Sequence, residues 1–193
     1  MKRSIPFLML VALAVGLGGG LVSSAPEFVL ERDDDAERNK ALDAMQGKPA
    51  PELVVGEWLS GEATTLADLK GSVVMIDFWG VWCGPCRALV PHVKELQAKH
   101  ADRGLVVIGV HTTHSTEKAA AFIQEQGITY RVPVDKDKQT VTAYHVNGYP
   151  DIYLIDHEGI LRYADLSNGS TENIDAAVES LLKEREEALA KAK

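Results

Sequence analysis

Residues 72–78 form a short and almost uninterrupted apolar run, Ser-Val-Val-Met-Ile-Asp-Phe, which constrains the fold more than any other feature of the chain. A run of this length is typical of a β-strand that is buried on both faces. From residue 83 to about residue 99 the apolar residues then recur at helical spacing, as Leu89, Val93 and Leu96 show. A buried strand that leads into an amphipathic helix predicts a layered α/β architecture.

The alternation of strands and helices continues along the chain. A second buried strand is predicted over residues 105–110 and a helix over residues 117–126, followed by three strands over residues 132–134, 152–155 and 160–164. A last helix, from about residue 171, is expected to bury an apolar stripe of Ile174, Val178, Leu181 and Leu182. Right-handed crossovers would make the buried strands at residues 72–78 and 105–110 parallel. Their carboxyl ends would then share the sheet edge where catalytic sites tend to lie.

The compact domain is predicted to span residues 47–183. Residues 53–55 and 63–65 are expected to form an N-terminal β-hairpin around a turn at Ser60 and Gly61. Residues 184–193 are interpreted as the solvated tail of the last helix.

Residues 26–46 are rich in charge, and we interpret them as a tether with a short helix over residues 36–45. The charged run at residues 37–40, Glu-Arg-Asn-Lys, would usually be a solvated face of such a helix.

The first 25 residues have the layout of a secretory signal peptide. Lys2 and Arg3 precede an uncharged apolar run over residues 5–22, and small residues follow at 23–25. The alternative is an uncleaved membrane anchor, because a helix over residues 5–22 would span about 27 Å against a bilayer core of roughly 30 Å. Either interpretation predicts an exported protein, which is periplasmic or otherwise extracytoplasmic and is soluble after cleavage or tethered by this segment.

The chain is acidic, with a net charge of −8. Removal of residues 1–25 takes away two basic residues and no acidic one, which leaves −10. An acidic protein is a poor candidate for binding nucleic acid. The chain has only two cysteines, which excludes a scaffold of several disulfides and a zinc site made of cysteines alone.

Both cysteines lie in the segment Trp-Cys-Gly-Pro-Cys, residues 82–86, between the buried strand and the helix. A disulfide between Cys83 and Cys86 would close a very small loop and would therefore stabilise the fold little. At a helix N-terminus, however, the free N–H groups and the helix dipole favour the Cys83 thiolate as a nucleophile. Cys86, one turn further along, can then attack the mixed disulfide that Cys83 forms. The spacing predicts a redox-active pair.

Other uses of a cysteine pair fit this sequence less well. A zinc site would need two more ligands, and His92 is the only histidine near in sequence. Haem attachment requires histidine directly after the second cysteine, where Arg87 stands. A peroxidase of the peroxiredoxin type has its cysteine at the end of Pro-x-x-x-Thr-x-x-Cys, and here Ile76 and Gly80 replace the proline and threonine. We therefore expect neither a metal nor a cofactor.

Residues 77–87, Asp-Phe-Trp-Gly-Val-Trp-Cys-Gly-Pro-Cys-Arg, with Pro91 downstream, resemble the active-site segment of thioredoxin. Asp-Leu-Lys-Gly at residues 68–71 and Gly-Tyr-Pro at residues 148–150 extend the likeness. Residues 47–183 as a whole are similar to the exported thiol–disulfide oxidoreductases of the TlpA/ResA type. This resemblance implies an α/β, thioredoxin-like three-layer fold with a central mixed sheet and the added hairpin.

The same resemblance implies disulfide-containing protein substrates, with apocytochrome c as one candidate, and a membrane thiol that acts as the electron donor. The dipeptide Gly84-Pro85 is that of reducing thioredoxins, and it favours a protein-disulfide reductase. An oxidant or isomerase of the same fold and a non-catalytic binding module remain alternatives.

The family also implies roles for individual residues. Cys83 and Cys86 would be the redox-active disulfide, and Asp77 a buried acid that relays protons to and from Cys86. Pro150 would be a cis-proline that faces the cysteine pair. The substrate-binding surface would comprise Trp82, Gly84, Pro85, Gly148 and Tyr149, with the Tyr149 backbone pairing with an extended substrate.

Two histidines, His111 and His114, follow a predicted parallel strand at the edge where Cys83 is expected. They could be surface residues of a polar loop. They could instead tune the Cys83 thiolate or bind a metal ion.

Overall fold

The computed structural model describes residue 32, residues 34–166 and residues 171–192. The predicted signal or anchor segment, residues 1–25, lies outside the described residues. In the part of the chain that is described, no helix has the length and apolar character needed to cross a membrane.

A mixed sheet forms the centre of the domain. Its six strands, within the described part of the chain, are β1 (Val55–Ser60), β2 (Val73–Trp79), β3 (Leu105–His111), β4 (Val132–Asp135), β5 (Asp151–Ile155) and β6 (Leu161–Tyr163). Their order across the sheet is β1-β4-β3-β2-β5-β6. The central strands β2 and β3 are parallel, and their last residues, Trp79 and His111, lie side by side. The predicted strands from residue 72 onward and the shared carboxyl edge are confirmed.

Helices cover both faces of this sheet. They are α1 (Ala36–Met45), α2 (Gly84–His100), α3 (Thr116–Glu125), α4 (Gln139–Ala143) and α5 (Thr171–Lys191). One apolar cluster joins alternate residues of β2, among them Val73, Met75 and Trp79, to α2, α3 and α5. The residues between them on β2 join a second cluster with Leu42 of α1 and with Tyr144, just after α4. Successive side chains of β2 therefore point to opposite faces of the sheet, and each face packs against its own layer of helices, which gives three layers.

The N-terminal β-hairpin predicted at residues 53–65 is absent. Strand β1 starts at Val55 and pairs antiparallel with β4, so that Ser60 lies opposite Val132. Residues 62–65 form no strand, because the Thr65 N–H and hydroxyl both donate to the Asp68 carboxylate, at 3.0 and 2.7 Å. Such local hydrogen bonds compete with strand pairing. The prediction of a hairpin was therefore wrong.

The predicted helix over residues 36–45 is present as α1, with Asp35 as its N-cap. Its charged run is nevertheless not a simple solvated face. Arg38 and Leu42 are both buried, and Leu42 belongs to the second apolar cluster. The solvated interpretation is wrong for Arg38, because its guanidinium forms buried ion pairs with Asp151 and Asp165.

The C-terminal part of α5 is exposed or half-buried at every residue from 183 to 192. It still contacts the domain, since the Arg185 guanidinium donates to the carbonyl oxygens of Gly71 and Arg103.

Candidate active site

Cys83 and Cys86 form a disulfide at the start of α2. Cys83 is the N-cap of the helix, and the Cys86 N–H donates to its Sγ atom over 3.2 Å. Free N–H groups at a helix N-terminus stabilise negative charge on a sulfur placed there. Gly84 and Pro85 form the exposed first turn, whereas both cysteines are buried. The fold therefore presents the pair in the arrangement that favours a Cys83 thiolate.

The peptide bond between Tyr149 and Pro150 is cis, as predicted. The Tyr149 carbonyl oxygen lies 3.5 Å from Cys83 Sγ. Gly148, Tyr149 and Pro150 are all half-buried, and they line one cleft together with Pro85, which lies between the two cysteines in the sequence. An extended chain that paired with this backbone would lie beside the reacting sulfur.

Trp82 provides the most exposed apolar surface near the disulfide, with 49% of its area accessible. Its ring meets that of Tyr149 edge-on, with centroids 5.7 Å apart. A cleft of about 430 Å³ opens between these two rings, His114 and Val146. Gly80 leaves room for the tryptophan ring in this position, because a Cβ atom at residue 80 would lie 2.6 Å from Trp82 Nε1. The lining also includes threonine, aspartate, lysine and asparagine side chains, so the cleft combines an aromatic wall with polar groups.

Asp77 lies on β2, on the same face as Trp79, which belongs to the apolar cluster that contains both cysteines. Its side chain is buried, and burial raises the pKa of Asp77 to about 7. Among the described residues its Oδ1 atom has no hydrogen-bond partner. A carboxyl group with these properties can take up or release a proton near neutral pH.

Tyr130 is a neighbour of this acid that was not predicted from the sequence. Its hydroxyl is buried, and burial, followed by the charge of Asp77, raises the Tyr130 pKa. Gly109, which lies opposite Asp77 in the sheet, makes room for the ring, since a Cβ atom there would be 2.9 Å from Tyr130 Cε2. The glycine within a buried strand was the one signal in the sequence that another group approaches closely at this point.

His111 is fully buried, and so the expectation of two surface histidines is wrong for this residue. Its Nδ1 atom lies 2.6 Å from the Thr112 carbonyl oxygen, and its Nε2 atom accepts the Val81 N–H over 3.0 Å. Nδ1 must therefore carry the ring proton, and the ring is neutral. Burial lowers the pKa of His111, which is consistent with this state.

His114 is exposed, and its ring lies 6.0 Å from the Trp82 ring. The structure thus separates the two histidines: His111 supports the backbone just before the cysteines, and His114 borders the cleft. Within the described residues, no group of three His, Cys, Asp or Glu side chains is arranged to hold a metal ion.

Residues 46–164 match the AhpC/TSA family. The chain belongs to this family. It is 34% identical over 140 residues to the thiol-disulfide oxidoreductase ResA of Bacillus thuringiensis, which covers 72% of this chain and 78% of that relative. It is also 34% identical over 126 residues to the thioredoxin-like protein YneN of Bacillus subtilis, which covers 64% and 72% of the two chains.

Solved structures agree with these sequence relatives. A thioredoxin-like superfamily protein superposes with a TM-score of 0.64 at 31% identity, over 69% of this chain and 96% of the other. A thiol-disulfide isomerase from Corynebacterium glutamicum gives the same TM-score, 0.64, at 28% identity, over 69% and 96% of the two chains. The predicted thioredoxin-like fold and the TlpA/ResA-like resemblance are confirmed, and the protein is a thiol–disulfide oxidoreductase.

Proposed function

We propose that this oxidoreductase reduces disulfide bonds of extracytoplasmic proteins, with apocytochrome c among its substrates. The observation that carries the proposal is the position of the Tyr149 carbonyl, 3.5 Å from Cys83 Sγ and next to cis-Pro150. A substrate strand held there would bring its own disulfide to the helix N-terminus. The likeness to a thiol-disulfide oxidoreductase supports the exchange chemistry. The Gly84-Pro85 dipeptide supports the reducing direction, and the resemblance to the TlpA/ResA type is the basis for the cytochrome substrate.

The reaction consists of two thiol–disulfide exchanges. In the reduced enzyme the Cys83 thiolate attacks one sulfur of the substrate disulfide, and the other sulfur leaves as a thiolate that takes up a proton. The Cys86 thiolate then attacks Cys83 Sγ in the mixed disulfide and releases the second substrate thiol. Two electrons pass to the substrate, and the enzyme is left with the Cys83–Cys86 disulfide.

Asp77 accepts the proton that Cys86 loses in the second exchange. Cys86 must lose its proton to become a nucleophile, and a buried carboxylate with a pKa of about 7 is matched to accept it near neutral pH. Trp82, Gly84, Pro85, Gly148 and Tyr149 bind the substrate around this centre.

The cycle closes when a membrane thiol donor reduces the Cys83–Cys86 disulfide again. Residues 1–25 export the protein, and residues 5–22 anchor it if they are not cleaved. The apparent mass of the protein in separated periplasmic and membrane fractions tests the choice: a periplasmic form that is shorter by about 25 residues supports cleavage, and a full-length form in the membrane fraction supports anchoring.

Insulin reduction tests the enzymatic proposal. Pre-reduced protein with dithiothreitol should precipitate the insulin B chain much faster than dithiothreitol alone. The Cys83→Ala variant should not exceed that background rate. Equal rates for the wild type and Cys83→Ala would contradict the proposal.

Disulfide isomerisation is the second candidate, because a solved relative of the same fold is named an isomerase. Scrambled ribonuclease distinguishes the two. An isomerase restores ribonuclease activity without net oxidation of the enzyme, whereas a reductase leaves the ribonuclease reduced and becomes stoichiometrically oxidised.

A further inference from the structure

Helix α1 inserts one charged side chain, Arg38, into the domain. The Arg38 guanidinium donates from Nη1 to Asp165 Oδ2 over 2.6 Å and from Nη2 to Asp151 Oδ2 over 3.0 Å. Its Nε atom donates to the His145 carbonyl oxygen over 2.7 Å. The side chains of Arg38, Asp151 and Asp165 are 6%, 3% and 2% exposed, so water contributes little to this cluster.

Two of these three acceptors are the two ends of one loop. We define the docking loop as residues 145–151, which contain Gly148, Tyr149 and cis-Pro150. The His145 carbonyl is at its first residue and the Asp151 carboxyl group is at its last. A single guanidinium therefore holds both ends of the segment whose Tyr149 carbonyl faces Cys83.

This connection requires that the donors of Arg38 and their acceptors keep one fixed arrangement. A guanidinium is a planar group whose donors point in fixed directions, so it holds its acceptors in one arrangement. Burial, and then the nearby Asp165 carboxylate, raise the pKa of Asp151 well above its usual range. Two buried carboxyl groups next to each other are tolerated because Arg38 lies between them.

A further contact connects the cluster to the sheet. The Tyr153 hydroxyl, on β5, lies 3.0 Å from Asp151 Oδ2 and 2.7 Å from the Tyr144 carbonyl oxygen. Asp151 is thus fixed by α1 on one side and by its own strand on the other. Beside it, a cleft of about 330 Å³ is lined by Pro85, Gly148, Pro150 and the two aspartates of the cluster. The cluster therefore lies directly behind the surface that borders the disulfide.

Arg38 lies outside residues 46–164, which match the family. The part of the chain that shares the family pattern supplies the docking loop, but helix α1 supplies the group that holds it. We infer that Arg38 is a positioning residue for substrate docking, and that α1 is part of the active-site architecture rather than only a connection to the N-terminal segment. This inference rests on the proposed function, since it needs a substrate that pairs with the Tyr149 backbone.

The test compares two disulfides that differ in their need for the docking loop. Insulin must pair with the loop, whereas the small disulfide dithionitrobenzoate needs only an accessible Cys83 thiolate. The variants are Arg38→Met, Arg38→Lys and, as a matched control, Arg162→Met. Arg162 also joins two carboxylates, those of Asp156 and Glu184, but Asp156 follows β5 at the end opposite to Asp151.

The reaction of reduced Arg38→Met with insulin should be slower than that of the wild type by about tenfold, as expected when a docking group is misplaced. Its rate with dithionitrobenzoate should stay within about twofold. Arg38→Lys keeps the charge but loses the planar fork, so it should recover part of the insulin rate. Arg162→Met should change neither rate.

If Arg38→Met does not fold, as judged by circular dichroism, Arg38→Lys decides with the same two substrates. Equal rates with insulin for the wild type and a folded Arg38 variant would overturn the inference. So would a parallel loss with both disulfides, because that pattern reflects general damage. A wild-type protein that reacts with dithionitrobenzoate but does not reduce insulin would instead refute the proposed function.

Discussion

Two loops meet at the active site, and different kinds of interaction hold them in place. The cysteine loop, residues 80–86, continues from the buried strand β2, and neutral hydrogen bonds fix it, among them that from Val81 to His111. The docking loop, residues 145–151, is fixed at both ends by the charged Arg38 side chain. The cysteine loop is supported from within the sheet, whereas the docking loop also depends on a helix that precedes the family match.

The difference has consequences for how each loop fails. Loss of a neutral hydrogen bond costs about 1–3 kcal/mol when it leaves a buried group without a partner. Loss of one member of a buried ion cluster costs about 3–5 kcal/mol, because an uncompensated charge remains in the interior. Substitutions that remove a support of the cysteine loop are therefore expected to cost less stability than substitutions that remove the support of the docking loop. Three variants, each of which removes one group of this arrangement, test the comparison.

The largest effect is expected from Cys86→Ser, which leaves both loops intact but removes the second exchange. This variant should form a mixed disulfide through Cys83 with a reactive peptide disulfide, and turnover should stop. Non-reducing mass spectrometry measures the adduct. Addition of Arg38→Lys should slow formation of the adduct without lowering its final amount. A Cys86→Ser protein that still turns over would contradict the assigned order of attack.

Asp77→Asn tests the buried acid on β2. Burial raises the Asp77 pKa from 3.8 to about 7 in the folded protein. Folding therefore takes up a proton between these values, and stability falls as the pH rises from about 4 to about 7. At pH 8 the variant should be more stable than the wild type by up to about 4 kcal/mol.

Urea unfolding of oxidised protein at pH 4 and pH 8 measures this difference, which should nearly vanish at the lower pH. A gain in stability that is equal at the two pH values would show that Asp77 is not the titrating group. Resolution of the mixed disulfide should also be slower in the variant, and unchanged kinetics between pH 6 and 9 would remove Asp77 from the mechanism.

The smallest effect is expected from His111→Phe, which leaves the Val81 N–H without its acceptor. The free energy of unfolding should fall by about 1–3 kcal/mol at pH 8. Because burial lowers the His111 pKa, the folded wild type binds fewer protons than the unfolded chain, and it loses stability as the pH falls below about 6.5. The variant should lack this acid-dependent loss. A wild-type pH profile that is retained in His111→Phe would assign the effect to another group.

The sequence predicted those parts of the molecule whose signals are local. The buried strand, the helix that follows it and the Cys83–Cys86 pair are adjacent in the chain, and the cis-Pro150 motif occupies three consecutive residues. Helix α4 was missed because its threonine and valine residues are weak helix formers. The partner of β1 was missed because strand pairing between distant segments has no local signature.

The two supports of the active-site loops were also missed, and for a related reason. Arg38 meets Asp151 and Asp165 across more than a hundred residues, and nothing in a charged run shows which side chain is buried. His111 is the last residue of β3, and the pairing of β3 with β2 places it beside Trp79 in the interior. Chemistry that is carried by a motif can be predicted from the sequence, but the groups that hold the motif in position need the fold.

The reduction potential of the Cys83–Cys86 couple tests the proposed reductase most directly. It is measured by equilibration of the purified protein with glutathione or dithiothreitol buffers of known potential. A reductase should have a value near the roughly −270 mV of thioredoxin. A value near the roughly −120 mV of DsbA would contradict the account and identify the protein as an oxidant.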